Sequence, residues 1–249
     1  MKIIAHRGAS GWAPENTLAA FQKALDIGVD AIEIDVRPTR DQRIVVFHDK
    51  NLNRTTPLRG RVRRRYLAEL QGTDASDWFG RPDYFGETIP TLDQTLELLN
   101  GQCELLIEIK SEGRLIKAPF LRRLFELIDH YQAHEWVILQ SFDTRVLRNI
   151  HRLRPDLRLQ KLIVLKVPLI GLQFDKTVML ENILKTPYYE SINMDHRFVT
   201  PPLIRKIHRH RKKICCWTVN NPIRMRQLQK KGVDGIITNY PDRLKRVIR

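Results

Sequence analysis

Cysteine is scarce in this chain of 249 residues: Cys103, Cys215 and Cys216 are the whole set, and two of them are adjacent. Such a set makes no disulfide framework and has no zinc-ligand spacing, so buried thiols in a reducing compartment are expected. No stretch approaches the roughly eighteen apolar residues of a membrane-spanning helix. No apolar leader follows Met1, so the chain is expected to be cytoplasmic. Low-complexity tracts are absent, as is a Gly-rich phosphate loop of the dinucleotide type. Acidic residues are outnumbered, 28 against 43 Lys and Arg, for a formal charge of +15. Two basic blocks stand out, 59–65 (RGRVRRR) and 205–213 (RKIHRHRKK). Blocks of this kind attract nucleic acid, an acidic membrane surface or a phosphorylated small molecule. The second reads better as the solvated end of a helix.

What the chain does have is concentrated in 31–49, AIEIDVRPTRDQRIVVFHD. Its first half alternates as a strand does, with Ile32, Ile34 and Val36 on one face and Glu33 and Asp35 on the other. Apolar residues on the outer face imply that both faces are covered. Two carboxylates side by side in such a place need a cation or donors to compensate them. A second apolar run, 44–47, then delivers His48 and Asp49.

Along the rest of the chain, strands and helices alternate. Strands are expected at 2–5, 31–36, 104–110, 136–142, 159–166, 191–195, 214–219 and 235–238. Helices follow, with starts at Asn16 or Thr17, Thr91, Phe120, Asp143, Lys176, Thr200, Asn221 and Pro241. Only 50–90 breaks the rhythm. It is rich in Arg, Gly and aromatics, with room for a helix in 61–70. It reads as an insertion over a site, without a core of its own. Eight strands each followed by a helix in about 250 residues predict one domain over 1–249. Its fold class is α/β, a (β/α)8 TIM barrel with a small insertion after the second strand. A doubly wound sheet is the alternative.

In such a barrel the site lies at the C-terminal strand ends. Those ends carry His6, Arg7, Glu33, Asp35, Arg37, Glu108, Lys110, Ser141, Asp195, Trp217, Thr238 and Asn239. A bland account pairs Lys110 with Glu108 and Arg7 with Glu33, but leaves His6, His48 and the third acid unexplained. Glu33, Asp35 and Glu108 make three oxygen ligands with no thiolate, which selects one hard divalent cation, Mg²⁺ or Ca²⁺. Arg7 and Lys110 are fixed cations suited to phosphate oxygens. His6 and His48 can exchange protons near neutral pH. Together these are the parts for cleaving a phosphoester.

The segments HRGASGWAPENTLAAF (6–21), GVDAIEIDVRPTRDQRIVVFHDKNLNRTT (28–56), IPTLDQTLELL (89–99), LLIEIK (105–110), SF (141–142), CWTVNNP (216–222) and GVDGIITNYP (232–241) resemble the glycerophosphodiester phosphodiesterase family, in its order and over nearly the whole chain. The resemblance implies a TIM barrel that hydrolyses glycerophosphodiesters, such as glycerophosphocholine or glycerophosphoethanolamine, to an alcohol and sn-glycerol 3-phosphate. It implies Glu33, Asp35 and Glu108 as metal ligands, His6 and His48 as the acid/base pair, and Arg7 and Lys110 as phosphate-binding cations. Trp217 matches an aromatic of the substrate pocket, and the insertion 50–90 would help cover the glycerol end. Asn239 stands where the family often has Asp, a departure expected to matter little. A path in two steps is consistent with this set, through a cyclic phosphate that water then opens. The rivals are a lipid phosphodiesterase of the lysophospholipase D or sphingomyelinase D kind, supported by the basic insertion, and a nucleic-acid binder on an inactive barrel. The loop aromatics Trp78, Phe79 and Tyr84 form no stacking series with the arginines, so nucleic acid is not expected as a partner. The block at 59–65 is expected to steer anionic diesters, with weak contact to an acidic membrane surface as its other use.

Overall fold

A computed structural model describes residues 1–111, 116–164 and 176–248. The chain opens with β1 (Lys2–His6), α1 (Leu18–Ile27), β2 (Ala31–Pro38) and β3 (Ile44–Val46). After the insertion, which holds the short α2 (Leu67–Gln71), come α3 (Leu92–Leu99), β4 (Glu104–Ile109), α4 (Ala118–His130), β5 (Val137–Ser141) and α5 (Thr144–Leu153). The rest is β6 (Arg158–Ile163), α6 (Lys176–Lys185), β7 (Tyr189–Asp195), α7 (Pro201–Arg209), β8 (Lys213–Trp217), α8 (Pro222–Lys231), β9 (Gly235–Thr238) and α9 (Pro241–Ile248).

Eight of these strands run parallel in the order β1-β9-β8-β7-β6-β5-β4-β2, and the β1–β2 pairing closes the ring. This is the (β/α)8 barrel, and a doubly wound sheet is excluded. The ninth strand, β3, pairs antiparallel to β2 and lies outside the ring, with Val36 opposite Val46. The strand expected at 159–166 is β6, whose observed part stops at Ile163, and 165–166 lie outside the described residues. Caps fall where the small polar residues predict them. Thr17 and Thr91 accept from the third residue of their helices, Asp143 caps α5, and Asn221 caps α8 ahead of Pro222.

The alternation in β2 works as its pattern demands. Ile32, Ile34 and Val36 join the main apolar layer between the strands and the helices. Inside the ring a smaller apolar plug of Ile4, Ala31, Leu106, Ile138, Cys215 and Ile237 fills the lower half of the barrel. All three cysteines are buried free thiols. No helix among the described residues is long and apolar enough to cross a membrane.

The insertion differs from its expectation. The stretch 61–70 holds a 3-10 turn (Val62–Arg64) and the five-residue α2, not one helix. A small core is present: Leu52, Val62, Leu70, Ala75 and Ile89 gather on Val45 and Phe47. The spacing of these residues follows no single period, because short turns bring them together. Half of the basic residues at 205–213 are engaged with neighbouring elements. His208 meets Asp234 at 2.8 Å, Lys206 pairs with Glu181, and the buried Lys212 donates to the carbonyl oxygens of Thr186 and Tyr189.

Candidate active site

Register brings the acids together. His6 lies beside Glu33 across β1 and β2, and Asp35 lies beside Glu108 across β2 and β4. Because alternate residues face the barrel axis, all three carboxylates meet above the apolar plug. One oxygen from each of Glu33, Asp35 and Glu108 lies within 4.8 Å of the others, and all three residues are buried. Below them is a layer of neutral amides. Gln140 Nε2 donates to Glu33 Oε1 at 3.2 Å, and Asn193 Nδ2 donates to Gln140 Oε1 at 2.9 Å and to Gln160 Oε1 at 2.7 Å. Amides can hydrogen-bond an acid in the interior without adding a charge of their own.

The two expected cations arrive from neighbouring strand ends. Lys110 Nζ spans two acids, at 2.8 Å from Asp35 Oδ1 and 2.6 Å from Glu108 Oε1. Arg7 goes to Asp35 and not to Glu33. Its Nε lies 3.1 Å from Asp35 Oδ2, without hydrogen-bond alignment, and its Nη1 donates to Glu15 Oε1 at 2.8 Å. The chain leaves β1 through a left-handed turn, with φ of 57° at Arg7 and 80° at Gly8. A side chain at position 8 would place its Cβ 2.6 Å from the backbone of Ala20, so only glycine fits there. Asn16 also takes the left-handed region, with φ of 57°, and its Nδ2 donates to Asp35 Oδ2 at 3.1 Å.

Each histidine is fixed by one ring nitrogen. His6 Nδ1 donates to Asn239 Oδ1 at 2.7 Å, and His48 Nδ1 donates to Asp49 Oδ1 at 2.6 Å. Nε2 is left as the ring nitrogen open to a reaction in both cases, and both rings line one cavity of about 180 Å³ with Glu33, Glu108 and Lys110. Asp49 is held in turn by Arg54 Nε at 2.6 Å, and Arg54 reaches across to Glu15 at 2.6 Å. One continuous chain of contacts therefore runs His48–Asp49–Arg54–Glu15–Arg7–Asp35. Its one link from the insertion is Arg54.

The charges do not balance. Burial pushes the Glu108 carboxyl up to about 7, with the charge of Asp35 adding to the effect. Glu33 is raised well above the ordinary carboxylate range, by burial and then by Asp35 and Glu108. Burial alone would raise Asp35 as well, but Lys110 and then Arg7 outweigh it and hold Asp35 ionised. Three acids thus face two fixed cations, and Glu33 Oε2 is buried with no partner. An all-oxygen donor set short of positive charge fits a divalent cation. Burial, then the charge of Arg7, pulls His6 down to about 4. His48 is also lowered by burial; Asp35 opposes this, while Arg7 and Lys110 add to it.

All eight residues singled out in the sequence line or support this mouth. Trp217 stands on the far wall, edge-on to Phe142 with ring centroids 5.8 Å apart. Other strand-end polar residues do not belong to it. Asp195 is tied to Arg197, and Ser141 Oγ donates to the Ile109 carbonyl. Arg37 donates to the backbone oxygen of His48 from Nη2 at 2.6 Å. Sequence reading missed Glu15, Asn16, Arg54 and Gln140, and it discounted Asn239. Asn239 does have a place in the site, as the direct partner of His6. The signal for Glu15 and Asn16 was present in PENT, a polar run where a helix cap needs only one such residue.

Residues 6–243 match the Glycerophosphoryl diester phosphodiesterase family. Among curated proteins, YhdW of Bacillus subtilis (strain 168) is 38% identical over 97% of this chain and 96% of its own. The glycerophosphodiester phosphodiesterase of Caldanaerobacter subterraneus is 34% identical over 99% and 97%. Among solved structures, an Oleispira antarctica phosphodiesterase in complex with the product sn-glycerol-3-phosphate covers all of this chain and 96% of its own, with a TM-score of 0.83 and 27% identity. On the family match and these identities over nearly full length, the chain belongs to the glycerophosphoryl diester phosphodiesterase family.

Proposed function

We propose that this chain hydrolyses glycerophosphodiesters to an alcohol and sn-glycerol 3-phosphate, with one divalent cation held by Glu33, Asp35 and Glu108. The observation that carries the reading is the juxtaposition of three buried acids, two fixed cations and two tethered histidines around one cavity. When bound, the cation supplies positive charge to the phosphate and acidifies a nearby hydroxyl. Arg7 and Lys110 offer donors to the phosphate oxygens and orient them. One histidine takes the proton of a glycerol hydroxyl through Nε2 as that oxygen attacks phosphorus. The P–O bond to the head group breaks, and the other histidine delivers a proton to the departing oxygen. This gives a free alcohol and a cyclic phosphate. Water then adds at phosphorus with the two histidines in exchanged roles, and the ring opens to glycerol 3-phosphate. Trp217 and Phe142 wall the cavity on the side opposite the charged strands.

The test is release of glycerol 3-phosphate from glycerophosphocholine and glycerophosphoethanolamine, with lysophosphatidylcholine run beside them. Each is measured with Mg²⁺ or Ca²⁺, with chelator, and with a Glu33→Ala, Asp35→Ala double variant. Metal-dependent release that vanishes in the variant is expected. Turnover of the lipid alone would move the reading to a lipid phosphodiesterase. No release from folded protein supplied with either metal would overturn it.

A further inference from the structure

The basic block at 59–65 does more than attract anions in general. Next to the active-site cavity, and sharing Lys110 with it, lies a second cavity of about 150 Å³. The turn between β2 and β3, the insertion and the start of α4 contribute its lining among the described residues. Its charged lining is Arg37, Lys50, Arg63, Lys110 and Lys117, with no carboxylate among the described residues. Arg37 and Lys110 are engaged with the site, through the His48 carbonyl and the acids Asp35 and Glu108. Lys50, Arg63 and Lys117 form no ion pair among the described residues. Three such cations on one hollow favour an anion there.

Two buried atoms sharpen the picture. Arg63 Nε and Gln42 Oε1 both lack a hydrogen-bond partner, and both residues line this cavity. The amide nitrogen of Gln42 is turned to the carbonyl oxygens of Thr39 and Arg40, which leaves Oε1 as an acceptor without a donor. Leaving such groups unmatched costs free energy that a ligand can recover. Both residues line the cavity, so a small shift of either side chain on ligand entry could satisfy these atoms, Arg63 with an anionic oxygen and Gln42 with a hydroxyl. Lys117 is also the N-cap residue of α4, and no side chain caps that helix. Its end adds positive potential at the rim.

We infer that this cavity binds a phosphate monoester-type dianion, carried on the leaving alcohol of the diester or present as free inorganic phosphate. Lys110 lines both cavities, so a phosphate held here lies beside the site of P–O cleavage. This places the leaving side of the substrate, not its glycerol end, beneath the insertion, and the anchor touches neither histidine. The substrate-borne form rests on the hydrolytic reading above; phosphate binding as such does not.

The test uses the whole chain and an Arg63→Ala, Lys117→Ala double variant, which leaves the groups assigned to chemistry in place. Glycerophosphoinositol 4-phosphate and glycerophosphoinositol are compared as substrates, and inorganic phosphate is titrated calorimetrically in chelator. If the anion rides on the substrate, wild type shows a KM about tenfold lower for the phosphorylated diester, the worth of one charge-assisted contact. The variant loses that preference while its kcat/KM on glycerophosphoethanolamine stays unchanged. If the free ion is the ligand, phosphate binds wild type and not the variant, and the two diesters have equal KM. Calorimetry reads out even if no diester is turned over, so failure of the hydrolytic reading looks different from failure of this one. Equal KM values, together with phosphate binding that is absent or unaltered in the variant, would overturn the inference.

Discussion

The ends of β1, β2 and β4 face the ends of β5, β6, β8 and β9 across one cavity, and the two sides are made of different material. The first side contributes His6, Arg7, Glu33, Glu108 and Lys110; the second contributes Gln140, Phe142, Leu162, Trp217 and Ile237. Placing every charge on three adjacent strands puts each acid within one strand spacing, about 4.8 Å, of a cation or another acid. Compensation and residual imbalance are therefore local: Lys110 and Arg7 hold Asp35 ionised, while Glu33 keeps an oxygen with no partner. The apolar side adds no charge, but it excludes water, and electrostatic interactions are stronger where water is excluded. One side can carry reaction chemistry only because the other side does not compete for it.

Removing one of the two histidines proposed as proton carriers should break this division most severely. His6→Ala or His48→Ala is expected to lower kcat by about 10²–10⁴-fold with KM little changed. Steady-state kinetics on glycerophosphocholine reads this directly. Either variant retaining most of its activity takes that residue out of the reaction. Arg54 tests whether the charged side depends on its tether to the insertion. Arg54→Met frees Asp49 and Glu15 together, and kcat is expected to fall about 10–100-fold, as for other groups that orient an acting residue. Partial recovery in Arg54→Lys, with an unchanged melting temperature, would separate orientation of His48 from simple loss of stability. On the apolar side, Trp217→Ala should raise KM about tenfold and leave kcat nearly unchanged, because it removes packing and no proton carrier. A large drop in kcat instead would mean that the two sides are not separable.

The charged side was legible in the sequence and the apolar side mostly was not. Alternation in 31–36 fixes which residues of β2 face inward, and strand ends fix where the barrel presents them. Glu33, Asp35, Glu108 and Lys110 follow from those two rules alone. Phe142 and Leu162 carry no such signal, since an apolar residue at a strand end looks like any core residue until the ring is closed. The chain of contacts through Glu15 and Arg54 was hidden for another reason. Its members are 39 residues apart, and the intervening insertion folds by short turns whose positions follow no period. Even the small core beneath the insertion, Leu52 with Val62 and Leu70, depends on β3 lying outside the ring, which no local pattern announces.

Asn239 is the place where the boundary between the two sides can be moved by one atom. It comes from the end of β9, the last strand of the apolar side, and accepts the Nδ1 proton of His6. A neutral acceptor there leaves burial and Arg7 unopposed by a charge at that nitrogen, and His6 stands near 4 instead of its ordinary 6.5. The unfolded chain therefore binds a proton more readily than the native one between those values. Native stability contributed by neutral His6 is present above 6.5 and is lost as pH falls toward 4. Asn239→Asp puts a carboxylate against Nδ1–H, favours the imidazolium, and should raise His6 by about 1–3 units. The acid limb of kcat/KM is expected to move up by the same amount, while the rate at the optimum changes little. The loss of stability between pH 6.5 and 4 should shrink in the same variant, measurable by denaturant unfolding at several pH values. An acid limb that stays in place would show that His6 does not set it, and would leave it to His48 or to the raised carboxyls of Glu33 and Glu108.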